Sequence, residues 1–261
     1  MGKITNALKR ATEERMARME KVAKIKEREQ LVIRKVGRSR IDPAIITYFD
    51  PKAHITEQYK ILRTNLLAIN GGRPPRVFNL TSSTKNEGKT VTALNLAISL
   101  AQAINKPRVL MVDADLRRGQ IANYLGVKQP TGFSEYLSNK CELKDIVFNI
   151  SIDNLTFVPC GDVPENPAEL LASDRMKTFI KDMRQEFDYV IIDTPPIVPV
   201  TDAGIVGSMV DGSILVIRAG RTQRGIVRHA EALLNQSHAR LIGHVLTGIE
   251  YHLPEYLYRY L

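Results

Sequence analysis

The chain has no tryptophan and only two cysteines in 261 residues. Cys141 and Cys160 are too few for a disulfide framework and lie at no metal-binding spacing, so they read as structural thiols of a reducing compartment. No run approaches the roughly 18 apolar residues that a spanning helix requires. The charged N-terminus has no apolar core of a secretory signal. A disordered composition is missing too, because 44% hydrophobic and 25% charged residues are globular values. These absences argue against an integral membrane protein, a disulfide-stapled secreted domain and a mostly unfolded chain. They leave a cytoplasmic protein long enough to bury its own core.

Acidic residues are scarce in one place. The chain carries 37 basic and 28 acidic residues, net +9, but its first 40 residues hold thirteen basic against five acidic ones and account for +8. The basic character belongs to an arm and not to the fold, which argues against a nucleic-acid surface spread over the domain. Ile4, Leu8, Ala11, Met19, Val22 and Ile25 recur at three- and four-residue spacing, broken at Arg15, and no Pro or Gly falls between Lys3 and Val36. The spacing predicts a basic amphipathic helix over 1–36, suited to a membrane surface or to a coiled-coil partner. Pro43 and the Asp50-Pro51 turn mark 37–55 as a linker.

From residue 56 to 250 short Val/Ile-rich runs alternate with helical periods. Strands are predicted at 77–81, 108–112, 155–159, 189–192, 213–217 and 241–246, and helices at 89–102, 174–186 and 222–236. Near-continuous apolar strands alternating with helices predict a doubly wound, mostly parallel α/β sheet covered on both faces. The last eleven residues then concentrate four of the nine tyrosines: Tyr251, Tyr256, Tyr258 and Tyr260.

Three motifs carry chemistry. Ser83-Thr84-Lys85-Asn86-Glu87-Gly88-Lys89-Thr90 lies between a strand and a helix, the context of a phosphate-binding loop. Backbone N–H groups and the helix N-terminus would cradle phosphates, Lys89 would reach the β- and γ-phosphates, and Thr90 would ligate Mg²⁺. Ser83 stands where such loops carry their first glycine, and Asn86 takes a turn position that tolerates positive φ. The second motif ends an apolar strand in Asp113-Ala114-Asp115-Leu116-Arg117-Arg118, and the third ends another in Asp193-Thr194-Pro195-Pro196. Acids at strand carboxyl ends beside a phosphate loop need a counter-charge, and Mg²⁺ supplies it. A free carboxylate, with a pKa near 4, is a weak base for a phenol near 10. Arg117 and Arg118 fit either a phosphate or a surface ion pair.

In this order, with the tyrosine cluster, the motifs resemble the bacterial tyrosine kinases of polysaccharide export, most of all the autokinases of exopolysaccharide loci that have no fused transmembrane region. The resemblance runs over about 55–261 and includes TEQYKILRTNL at 56–66 and VPCGDVPENPAELLA at 158–172. It implies an ATP- and Mg²⁺-dependent enzyme with Lys89 and Thr90 in the Walker A loop, Asp113 and Asp115 in the family's additional Walker A′ motif, and Asp193 as the Walker B acid. It also implies phosphoryl transfer to Tyr251, Tyr256, Tyr258 and Tyr260, usually of a neighbouring subunit. Glu57, Lys60 and Arg63 align with an oligomerisation helix, where Lys60 replaces an arginine and loses its bidentate fork. The implied partners are a transmembrane polysaccharide chain-length regulator, further copies of the chain and a tyrosine phosphatase, and the implied location is the inner face of the plasma membrane. Thr247 stands where related ATPases carry a base-contacting Asn. The rivals are a partition- or septum-type ATPase switch, whose signature lysine would fall at Thr84, and a nucleotide-dependent scaffold.

Overall fold

In the computed structural model the described residues are 34–35, 41–72, 74–128, 131–149 and 152–249. Tyr251, Tyr256, Tyr258, Tyr260 and arm residues 1–33 lie outside them. The strands are β1 (Arg34–Lys35), β2 (Val77–Ser82), β3 (Val109–Asp113), β4 (Phe148–Asn149), β5 (Leu155–Val158), β6 (Tyr189–Asp193), β7 (Gly212–Arg218) and β8 (Leu241–Thr247). They form one sheet in the order β1-β4-β5-β3-β6-β2-β7-β8. Every neighbouring pair is parallel except β4 with β5. The six longer strands are the six expected from the apolar runs. The two-residue strands β1 and β4 carry no periodic signal. β1 also corrects the reading of 1–36 as one helix, since Arg34 and Lys35 pair with Phe148 and Asn149 at the sheet edge.

The central strands are buried along their length, and successive side chains serve two cores. On β7, Ile214 and Val216 join one cluster while Leu215 and Ile217 join the other. That two-residue alternation requires cover on both faces. The larger core packs the sheet against α3 (Lys89–Ala101), in which eleven of thirteen residues are buried. The helices α4 (Ile121–Tyr124), α5 (Phe133–Leu137), α6 (Leu143–Ile146), α7 (Pro167–Ala172) and α8 (Asp174–Glu186) follow, and the smaller core packs the sheet against α9 (Asp202–Gly207) and α10 (Arg224–Gln236).

The linker reading of 37–55 fails over its described part. Residues 41–49 form a packed strap ending in the short helix α1 (Ile46–Phe49), with Ile41, Ile45 and Thr47 buried. Its anchor is Asn95 of α3. The Asn95 Oδ1 atom accepts from the Thr47 N–H at 3.0 Å and the Thr47 hydroxyl at 2.9 Å, while Nδ2 donates to the Ala44 and Val91 carbonyls at 3.1 and 2.9 Å. A buried amide that meets all its partners this way holds irregular backbone where apolar contact alone could not. Beside it α2 (His54–Gly72) lies on α3, and the Arg63 guanidinium donates to the Ser99 carbonyl. Asn95→Ala strands the Thr47 N–H and the Ala44 carbonyl, so urea unfolding should show a loss of about 3 kcal/mol.

Candidate active site

Register brings the three motifs together. Asp113 and Asp193 are direct partners across β3 and β6, and β6 also pairs with β2, which runs into the Ser83–Thr90 loop. The acids that end β3 and β6 therefore lie beside the loop at the carboxyl end of the sheet, where open α/β sheets bind ligands. The loop borders a cleft of about 440 Å³, whose walls also include Asp115, Arg117, Tyr124 and Pro195.

The loop depends on two left-handed residues. Asn86 takes φ 63° and Gly88 takes φ 87°. Gly88 opens α3, and the positive φ and not crowding demands glycine there, since an added Cβ would meet Thr247 only at ordinary contact distance. Glu87, expected among the nucleotide-binding residues, turns inward and is 3% exposed. Its carboxylate accepts the Thr84 N–H at 2.8 Å and the Thr222 hydroxyl. Its carbonyl accepts the Thr247 hydroxyl at 2.6 Å. Thr247 thus braces the loop from the end of β8. Ser83 is buried with an unpaired hydroxyl, whereas Lys85 is exposed.

Lys89 is the electrostatic centre. Its Nζ lies 3.0 Å from Asp115 Oδ2 and 3.2 Å from Asp193 Oδ2, and the Thr90 hydroxyl donates to Asp193 Oδ2 at 2.6 Å. Burial alone would lower the Lys89 ammonium, but the charges of Asp193, Asp115 and Asp113 outweigh it and hold the group above the usual lysine range. Burial, reinforced by the Asp193 charge, pushes the Asp113 carboxyl up to about 7 against the Ile121 N–H and Lys89. Asp193 is raised by burial against the same lysine. The expectation of carboxylates near 4 is therefore corrected for these two acids. Asp113 is fully buried, accepting N–H groups from Asp115 at 3.3 Å and Ile121 at 3.0 Å, and Asp115 is the acid that faces the cleft.

The donor set suits Mg²⁺. Thr90, Asp113, Asp115 and Asp193 offer hard oxygens, and Asp193 Oδ1 is buried with no hydrogen-bond partner, an acceptor with capacity to spare. Among the described residues no three His, Cys, Asp or Glu side chains form a metal cage on their own.

Other expected residues are accounted for by their contacts. Arg117 makes a two-pronged ion pair with Asp202, at 2.8 and 3.1 Å, so the ion-pair alternative holds. Asp202 has no exposed side-chain surface, and composition gave no hint of it as a partner. Cys160 is half-buried beside Asp113, and burial pushes its thiol up to about 12. Lys60 folds back onto Glu57 at 2.6 Å and onto the Pro51 carbonyl at 2.9 Å.

Asp113 sets a pH signature in the metal-free protein. Its folded pKa lies above its unfolded value, so between about pH 4 and 7 the unfolded chain ionises first and stability falls as pH rises. Urea midpoints across that range should decline in the parent, and Asp113→Asn should decline less steeply.

A family model described as an AAA domain matches residues 84–219. A tyrosine-protein kinase of Bacillus subtilis, YwqD, is 35% identical over 218 residues, covering 84% of this chain and 91% of its own. The kinase domain of the Escherichia coli tyrosine kinase ETK superposes with a TM-score of 0.78 at 32% identity, covering 88% of both chains. The cell division ATPase MinD of Pyrococcus furiosus shares the fold alone, at 24% identity and a TM-score of 0.55.

Proposed function

The chain belongs to the bacterial tyrosine-protein kinases, and from that membership we propose that it transfers the γ-phosphoryl group of ATP to Tyr251, Tyr256, Tyr258 and Tyr260 of a neighbouring copy. The observation that carries this reading is the buried cluster of Lys89, Thr90, Asp115 and Asp193 at the mouth of the phosphate loop. The bond from the γ-phosphorus to the bridging oxygen breaks, a bond to the tyrosine oxygen forms, and ADP leaves. The phenolic proton passes to a carboxylate.

Each side chain has a part in that transfer. Lys89 neutralises charge on the phosphoryl oxygens. Thr90 and Asp193 would hold Mg²⁺, with Asp115 at the cleft wall and Asp113 buried behind them. Held there, Mg²⁺ would supply positive charge to offset the charge that develops on the phosphates during transfer. Asp115 faces the incoming phenol, and the buried Asp113 positions it by accepting its backbone N–H. Positioning dominates because the transition state is loose, so full deprotonation of the phenol is unnecessary.

Regulation of exopolysaccharide synthesis and export is the biological role we assign to this exchange. Among the described residues no helix is long and apolar enough to cross a membrane. Recruitment to the inner face of the plasma membrane would come through a transmembrane chain-length regulator, and a tyrosine phosphatase would reset the tail. Assembly through Glu57, Lys60 and Arg63 would need Lys60 to exchange its own Glu57 for that of a neighbour.

Purified full-length chain incubated with ATP and Mg²⁺ should acquire phosphotyrosine at residues 251–260, mapped by mass spectrometry. Lys89→Met should reduce the incorporation by on the order of 10³-fold. ATP hydrolysis without tyrosine phosphate would instead mark a partition-type switch.

A further inference from the structure

The segment from Gly212 to Ala230 contains four arginines and no acidic residue. Arg218 ends β7, Arg221 lies in the turn that follows, and Arg224 and Arg228 lie one helical turn apart on α10. Arg221, Arg224 and Arg228 are exposed, and their guanidinium groups have no hydrogen-bond or ion-pair partner among the described residues. Glu231, the next acid along the helix, is paired with His244 at 2.7 Å. Glu87, the nearest acid of the phosphate loop, is buried against Thr222. Arginines gathered at the start of a helix oppose its dipole, and among the described residues no acidic side chain pairs with Arg221, Arg224 or Arg228. Arg218 donates to the Asn86 carbonyl of the phosphate loop at 3.4 Å, whereas Arg221, Arg224 and Arg228 do not line the nucleotide cleft.

This surface adjoins the root of the tail. The Ala219 N–H donates to the Thr247 carbonyl at 2.8 Å, and an added Cβ on Gly248 would lie 3.3 Å from Arg218 Nε. Tyr251 follows three residues later. We infer that the Arg218–Arg228 surface docks the phosphorylated form of this chain's own C-terminal residues 251–260. The inference rests on the kinase reading for the origin of the phosphates, but the surface can be tested without it.

Charge and spacing both favour that occupant. Four phosphotyrosines bring roughly −6 to −8 charges, and guanidinium groups are the side chains that grip phosphate with paired hydrogen bonds. In an extended chain, residues two apart recur about every 7 Å, the interval of Tyr256, Tyr258 and Tyr260. Arg224 and Arg228 recur at about 6 Å along the helix. Twelve extended residues span up to about 40 Å, which is ample to cover a surface that starts beside Gly248. Docking would withdraw a phosphorylated tail from a neighbour's cleft and leave that cleft free for ATP.

The test uses full-length chain carrying Tyr251→Phe, Tyr256→Phe, Tyr258→Phe and Tyr260→Phe, so that its own tail cannot compete. A fluorescent peptide of residues 248–261 is titrated, either unmodified or synthesised with phosphate on all four tyrosines. Anisotropy should show the phosphopeptide bound at least about tenfold more tightly, with an affinity that falls as salt rises. Adding Arg221→Gln, Arg224→Gln and Arg228→Gln should abolish the preference while binding of a fluorescent ADP is unchanged. Equal binding of the two peptides, or a preference that survives the three substitutions, would overturn the inference. So would arginine-dependent binding of phosphatidylglycerol vesicles without binding of the phosphopeptide, which would make the surface a lipid contact. Because the peptide is synthetic, its failure to bind is distinct from a failure of the kinase assay.

Discussion

The buried ammonium of Lys89 holds the site together. Two strand ends bring Asp113 and Asp193 side by side in register, and Asp115 follows two residues on. Three carboxylates packed this closely would repel one another and resist burial. The lysine stands between two of them and is itself kept charged by all three. The cluster is thus an ion pair network awaiting further positive charge, with one Asp193 oxygen still unpaired. An apolar or smaller residue at 89 would leave the strand ends electrostatically unsupported.

Around that centre, longer-range contacts hold the loop in shape. Glu87 ties the Thr84 backbone to Thr222 on one side, and Thr247 grips the Glu87 carbonyl on the other. Arg117 links the loop after β3 to the buried Asp202 that begins α9. The phosphate loop, the paired acids and the end of β8 therefore form one connected polar system. Preorganised groups of this kind do not have to rearrange when charge develops during transfer.

Much of this architecture was legible in the sequence. The six apolar runs became the six longer strands, because a strand buried on both faces leaves a continuous hydrophobic signature. Lys89, Thr90 and Asp193 were legible because local order alone places them, at a strand–loop–helix junction or a strand end. The strap at 41–49 was not, since Pro43 and polar neighbours obscure three buried side chains whose anchor, Asn95, is 48 residues from Thr47. β1 and β4 are too short to have a period. The upward shift of Asp113 also escaped, because composition cannot report what a carboxyl is packed against. The inward turn of Glu87 depends on Thr222, 135 residues away, which no local pattern could reveal.

The sheet order bears on communication across the molecule. The chain enters at β1 on one edge and leaves from β8 on the other. Seven inter-strand spacings separate them, about 34 Å across the sheet. That is several Debye lengths at physiological salt, where opposite charges at the two edges scarcely sense one another through solvent. A change of charge at the leaving edge therefore acts electrostatically only on surfaces close by, and in an assembly of copies the edge of another molecule can lie nearer than the far edge of its own.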